Sequence, residues 1–459
     1  MINYFNYKKF QNKYLLTNDL GNYLFATKDE LKSLIEDNVD ISSDFGTQAK
    51  NKLFYYDGSM QAFSENLKYY LRESKNYLFS ATSLHIFVVT NSCNMQCVYC
   101  QAQNGKEIPN GMMTKEVAKK AVNIALSSPA ENLSFEFQGG EPLLNFEIIK
   151  YIVEYTNSIN TDKQIQFNIV SNLTIINDEI IEFIKKYNVG ISTSIDGNKE
   201  LHNLNRKYRT NFGTYDDVLK GIKLLEKNNI PFGAIQTTTK NSLKYSKQIV
   251  DTYINLGLAN LFIRPLTPLG CADNNWNEIG YSPEEFIDFY KECFNLILDA
   301  NKKGIYIKEG HASLMLSKIL TGHAINYMEL RSPCGAGIGQ LAYYYDGNIY
   351  TCDEGRMLAE MGNDSFKLGT VDDNYNYIIG CDRCKAACLS SILESLPNCN
   401  DCVYNPYCGT CPVVNLSLQG DIINKEPRDY KCKIYSGIFD TIFSALQDND
   451  NLEILKTWL

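Results

Sequence analysis

From about residue 84 onward, apolar residues fall into short β-rich runs separated by segments of helical period. The runs are 84–90, 133–137, 166–172, 189–195, 232–239 and 261–266. In the segment 215–229, Val218, Ile222 and Leu225 share one helical face, and 283–300 has the same character. Six strand-then-helix units predict a parallel sheet with crossover helices, the α/β class. Such sheets carry their chemistry at the carboxyl ends of the strands. Residues 1–82 read differently. Runs at 13–16 and 22–26 predict a hairpin around Asp19-Leu20-Gly21, and 28–35 and 64–71 look helical, so a small α+β module is expected. After Arg331 the chain is rich in Cys, Gly, Asn and Tyr and poor in long helical patterns, which predicts a region held by metal rather than by a large core. A helical period returns at 435–459. The expected domains are 1–82, 83–310 and 311–459.

Composition narrows the partners. Lys plus Arg is 44 against 53 Asp plus Glu, a net charge of −9, so nucleic acid is not expected. The chain shows no leader-like start and no apolar run long enough to span a bilayer, so a cytoplasmic protein without a membrane partner is expected. Fifteen cysteines, ten of them between 334 and 432, then point to metal or catalysis, because cytosolic chains rarely keep disulfides.

Cys93, Cys97 and Cys100 form C-x3-C-x2-C directly after the first strand of the repeat. Zinc usually takes four ligands in two pairs, and no fourth lies close in sequence. Three thiolates instead suit three irons of a [4Fe–4S] cube, leaving the fourth open to the amine and carboxylate of S-adenosylmethionine (SAM). One unit later comes Phe137-Gln138-Gly139-Gly140-Glu141-Pro142, where glycines allow close backbone approach and a carboxylate can accept from an ammonium group.

These motifs resemble the radical SAM superfamily over residues 84–270. The resemblance implies a partial (β/α)6 TIM-like barrel. It also implies Tyr99 beside the adenine, Gly139, Gly140 and Glu141 at the methionine amine, and Ser194 and Arg206 at the ribose or carboxylate, from Ser194-Ile-Asp196-Gly197 and Asn205-Arg206.

The later cysteines run Cys334-x12-Gly347-x4-Cys352, then Cys399-x2-Cys402-x5-Cys408-x2-Cys411, then Cys432. This is similar to the SPASM extension of peptide and sulfatase maturases, departing by x2 for x3 before Cys411. The resemblance implies two auxiliary [4Fe–4S] clusters, one on Cys334, Cys352 and Cys411 and one on Cys399, Cys402, Cys408 and Cys432. Three clusters and SAM are therefore the expected cofactors. Cys271 and Cys293 read as buried thiols. Cys381, Cys384 and Cys388 share one face if helical, with Cys388 a candidate fourth ligand of the first auxiliary cluster. Asp353, next to Cys352, matches the general base of sulfatase maturases, with Glu354 its nearest rival. His85, His202, His311 and His323 are scattered and read as structural.

Arg331-Ser-Pro-Cys334, Cys352-Asp-Glu-Gly-Arg356, the 402–412 segment and the opening Tyr14-Leu-Leu-Thr-Asn-Asp-Leu-Gly21 are most similar to radical SAM maturases of His-Xaa-Ser peptide systems. That likeness implies modification of a ribosomal precursor peptide through C–C or thioether cross-linking, with an electron donor such as flavodoxin. The front module would capture the leader as an added strand. A formylglycine-generating sulfatase maturase and a zinc-stabilised binding protein are the alternatives. A chain starting near Ser83 is expected to keep the barrel and all its clusters.

Overall fold

The computed structural model describes residues 1–56, 58–102, 111–424 and 429–459. Strands β1 (Asn6–Phe10), β2 (Lys13–Thr17) and β3 (Tyr23–Ala26) form an antiparallel sheet in that order. Its hairpin pairs Tyr14 with Ala26 and turns on Gly21, at φ +80°, with the Asn18 side chain accepting from the Leu20 and Asn22 amides. Helix Lys28–Ile35 starts at a capping box between Thr27 and Glu30. Leu16, Leu24, Leu31, Leu34, Phe45 and Phe54 give this module a small core of its own. Strand β1 was not legible in the sequence, because Lys8-Lys9 interrupts its apolar signal.

Six parallel strands follow: β4 (Leu84–Thr90), β5 (Asn132–Gly139), β6 (Gln164–Val170), β7 (Gly190–Ser194), β8 (Phe232–Thr237) and β9 (Asn260–Arg264). They match the six runs of the sequence and form the partial-barrel sheet. Two further strands extend it in parallel, β10 (Lys308–Glu309) beside β9 and β11 (Gln340–Tyr344) beside β4. β12 (Asn348–Tyr350) and β13 (Lys367–Thr370) then add antiparallel, closing a ten-stranded order β10-β9-β8-β7-β6-β5-β4-β11-β12-β13.

On the helix-covered face, Phe135, Phe137, Phe167, Ile169, Ile191, Leu261 and Ile263 join the main core. Alternate positions, including Ser134, Glu136, Asn168, Ser192 and Arg264, are half-buried on the concave face. The concave face is therefore polar along these strands, while on β4 and β11 it is apolar, where Ile86, Val88, Ala342 and Tyr344 cluster.

The C-terminal region carries more apolar core than the sequence pattern predicts. β11 is buried at all five positions, and Tyr404, Tyr407, Ile434, Ile438, Phe439 and Phe443 belong to the same core as the barrel. Helix Tyr430–Ala445 lies against helix Pro283–Lys302. Aromatic residues supply this burial, so cysteine richness did not mean a missing core.

The front module also grips this region. Thr17 Oγ1 donates to Val403 O at 2.7 Å, Tyr407 OH donates to Gly21 O at 2.8 Å, and Asn6 Nδ2 reaches Asn400 O at 3.0 Å. Lys8 pairs with Asp440 at 2.9 Å. Deleting residues 1–82 should therefore loosen the 399–408 segment, contrary to the sequence expectation. We expect the truncated chain to keep the iron held near Cys93 and to lose iron from the site near Cys399, as read by iron and sulfide counts. Equal iron in both chains would show that these contacts do not support the site.

Candidate radical and auxiliary-cluster sites

Cys93, Cys97 and Cys100 lie on the loop leaving β4. Main-chain bonds pin that loop: Gln96 N to Lys207 O at 2.7 Å, Val98 N to Asn205 O at 2.9 Å, and Cys271 N to Cys100 O at 2.8 Å. Arg209 Nε donates to Cys93 O at 3.0 Å. Burial, the Glu141 carboxylate and the neighbouring thiol push Cys93 up to about 12. Cys100 is pushed up too, first by burial and then by the charges of Cys97, Cys93 and Cys271. A bound metal group would reverse that shift, because its charge deprotonates coordinating thiols.

Among the described residues, no group of three or more His, Cys, Asp or Glu could hold a metal ion. A cubane makes a different demand, because each thiolate binds a different iron at a different corner. Three soft thiol donors on one loop fit that donor set.

The Gly-Gly-Glu-Pro turn leaves β5 beside this loop. A Cβ on Gly139 would lie 2.2 Å from Thr90 O, and one on Gly140 2.2 Å from Ser92 O. The glycines thus let two backbones meet. Gly140→Ala should cost roughly 1–3 kcal/mol, since the clash is with backbone, and should lower both melting temperature and iron content. Unchanged iron would show that the loop can give way. Glu141 is fully buried, and its carboxylate accepts from Ser171 Oγ at 2.8 Å, Asn172 N at 2.7 Å and Leu143 N at 3.1 Å. It ties the ends of β5 and β6 together, so a ligand ammonium would have to share those oxygens.

Tyr99 and Arg206 meet in a buried network. Tyr99 OH donates to Asp196 at 2.9 Å, Arg206 Nη1 donates to Tyr99 OH at 2.8 Å, and Asn205 Nδ2 donates to Asp196 at 3.0 Å. Arg206 Nε and Ser92 Oγ are buried polar atoms without a partner. Ser194 is half-buried at the end of β7. Asp196 and Asn205 complete this network, and both stand inside the Ser194–Gly197 and Asn205-Arg206 motifs without being singled out by residue type alone.

The later cysteines gather into two groups. Cys334, Cys352 and Cys411 line one cavity with Arg264, Glu329, Glu354 and Lys431. Cys399, Cys402, Cys408 and Cys432 lie close enough for their charges to interact. Cys352 caps helix Asp353–Glu360, its sulfur accepting from Gly355 N at 3.3 Å. Asp353 starts that helix and is held by Arg356 Nη2 at 2.5 Å, with Arg356 buried. Glu354 stands 3.9 Å from Arg264, which pairs with Glu329 at 2.7 Å.

Cys381, Cys384 and Cys388 mark helix Asp382–Leu389, with Cys381 at its N-cap. Ser391 Oγ links the end of this helix to the Cys334 amide at 3.0 Å. Cys293 is a core thiol. Cys271, expected merely to be buried, is buried beside the Cys100 main chain. Histidines 85, 202 and 311 are buried and bonded to Tyr343, Thr214 and the Ile263 carbonyl.

Residues 87–240 match the family model of the radical SAM superfamily. The chain carries a radical SAM domain. An uncharacterized protein of Methanocaldococcus jannaschii is 37% identical over 183 residues, spanning 40% of this chain and 62% of that protein. A cysteine-type anaerobic sulfatase-maturating enzyme of Clostridium perfringens (strain 13) is 26% identical over 379 residues, 79% of this chain and 97% of that enzyme. Among solved structures, anSMEcpe with bound AdoMet aligns at TM-score 0.68 and 23% identity, covering 81% of this chain and 99% of its own. Streptococcus suis SuiB bound to precursor peptide SuiA aligns at 0.56 and 15%, covering 93% and 98%. The radical SAM domain accounts for β4 to β8 and the Cys93 loop, and the chain is an enzyme of that superfamily. No helix among the described residues is long and apolar enough to cross a membrane.

Proposed function

We propose that this radical SAM enzyme modifies a ribosomally made precursor peptide in the cytoplasm, joining two of its side chains by a C–C or thioether bond. The observation that carries the reading is the cavity shared by Cys334, Cys352 and Cys411 with the Arg264–Glu329 pair, next to Asp353. Bound [4Fe–4S] clusters and SAM supply a 5′-deoxyadenosyl radical that removes a hydrogen atom, and a sink for the electron left behind. Cys93, Cys97 and Cys100 hold the SAM-binding cluster. Gly139 and Gly140 bring the β5 loop to the ligand's amine, with Glu141 fixing that loop. Tyr99 meets the adenine. Ser194 and Arg206 meet the ribose and carboxylate, and the partnerless Arg206 Nε is a donor suited to that carboxylate.

Two auxiliary clusters are assigned to Cys334, Cys352 and Cys411 and to Cys399, Cys402, Cys408 and Cys432. Asp353 takes the proton lost as the new bond forms, held in position by Arg356. β1 and β3 are the edges of the front sheet, and a leader peptide adds there as a strand. The binding of SuiA by SuiB supports a peptide partner. An electron donor such as flavodoxin would supply the electron needed at the cluster that Cys93, Cys97 and Cys100 would hold.

The sulfatase-maturating relative favours a second reading, oxidation of a single Cys or Ser to formylglycine. Co-expression with small peptides encoded beside the gene separates the two. A cross-linked peptide, lighter by a pair of hydrogens and resistant to separation of its linked residues by fragmentation, is expected. An unmodified peptide alongside formylglycine in a co-expressed sulfatase would favour the second reading.

A further inference from the structure

Glu136, on the concave face, is a carboxylate that the mechanism above does not use. Glu136 occupies a concave-face position of β5, and its polar contact is with a neutral group, Gln138 Nε2 at 2.5 Å. Neighbouring polar side chains on this face are also neutral and satisfy each other, as in Asn168 Nδ2 to Ser134 Oγ at 3.1 Å. The nearby cations are already matched: Arg264 by Glu329 at 2.7 Å and Arg356 by Asp353 at 2.5 Å. Burial is the largest influence on Glu136 and raises its proton affinity, Asp353 adds to this, and the Gln138 hydrogen bond and Arg264 offset it only in part. A half-buried carboxylate without its own cation is costly to keep unless something else supplies the charge. Gly139 is three positions further on, so Glu136 lies roughly 10 Å along the strand from the SAM-side loop. That is within reach of a long side chain from a peptide passing the mouth of the barrel.

We infer that the concave face selects a cationic side chain, Lys or Arg, of the substrate, and that Glu136 is its partner. The assignment rests on reading this face as the substrate site. Recognition is by a charge-assisted hydrogen bond in a half-buried setting, which rewards the matching cation and penalises an apolar or acidic residue at the same place.

The test uses the full-length enzyme, loaded with clusters and SAM under anaerobic conditions. Side-chain mimics n-butylguanidinium and n-butylammonium are titrated by ligand-observed NMR against n-butanol and butyrate. Both cations are expected to bind more tightly than either control. Glu136→Gln should weaken them by about ten-fold or more, while Glu136→Asp should retain the order of preference. Iron content and melting temperature report whether each variant is folded, and Glu136→Asp decides the matter if Glu136→Gln is not. Cations binding no better than butanol, or equally in wild type and Glu136→Gln, would overturn the inference. Because the mimics are not peptides, the result stands apart from the proposed activity. Cation binding with no peptide ever modified would sink the activity and keep the site.

Discussion

Replacing Cys93, Cys97 and Cys100 together with alanine is expected to abolish 5′-deoxyadenosine formation while leaving a folded protein that still carries iron. Removal of Cys93, Cys97 and Cys100 takes away every thiol on the β4 loop. The loop itself should hold, because its anchors are main-chain bonds: Gln96 N to Lys207 O, Val98 N to Asn205 O and Cys271 N to Cys100 O. Alanine keeps the Cβ and leaves those bonds untouched. The other seven assigned cysteines lie on segments beyond β10, around Cys352 and Cys408. Iron should therefore fall by one cluster's share, and absorbance from the remaining clusters should persist. Deoxyadenosine at the wild-type rate would mean that SAM is cleaved elsewhere.

The second large effect is expected from Asp353→Asn, with modified peptide falling by roughly 100-fold if general-base catalysis contributes fully. Asparagine keeps the shape and removes the base. Deoxyadenosine should continue to form, since SAM cleavage precedes the proton transfer. The substitution also leaves Arg356, which is 1% exposed, without the negative charge it faces at 2.5 Å. An unpaired buried cation can destabilise by several kcal/mol. The double variant Asp353→Asn with Arg356→Gln removes that charge and should melt higher than the single variant while remaining as inactive. Wild-type product from either variant would leave Asp353 as the partner of Arg356 and nothing more.

The parallel strands could be read from sequence because each is an apolar run between helical segments, and that period survives any tertiary context. β11 could not. Gln340-Leu-Ala-Tyr-Tyr344 is surrounded by Gly and Cys, and only its pairing with β4 reveals that all five residues are buried. The cysteine spacings exposed the metal chemistry, whereas the grouping of Cys411 with Cys334 depends on chain crossings that no local pattern encodes. Arg264 and Glu329 are 65 residues apart, so their ion pair was equally hidden. Glu136 was closer to legible. The alternation in Asn132-Leu-Ser-Phe-Glu-Phe-Gln-Gly139 marks it as the charged member of a polar face, and only the fold says that the face is concave. The front module's dependence on Val403 and Tyr407 likewise joins residues nearly 400 positions apart, and spacing carries no trace of it.

Peptide modification by a radical is the central claim, and transfer of deuterium tests it most directly. A fully deuterated precursor peptide, encoded beside the gene, is incubated anaerobically with the cluster-loaded enzyme, reductant and unlabelled SAM. The expected result is deuterium in the 5′-deoxyadenosine, in proportion to the peptide that becomes modified. Deoxyadenosine that forms without deuterium while the peptide remains intact would contradict the account.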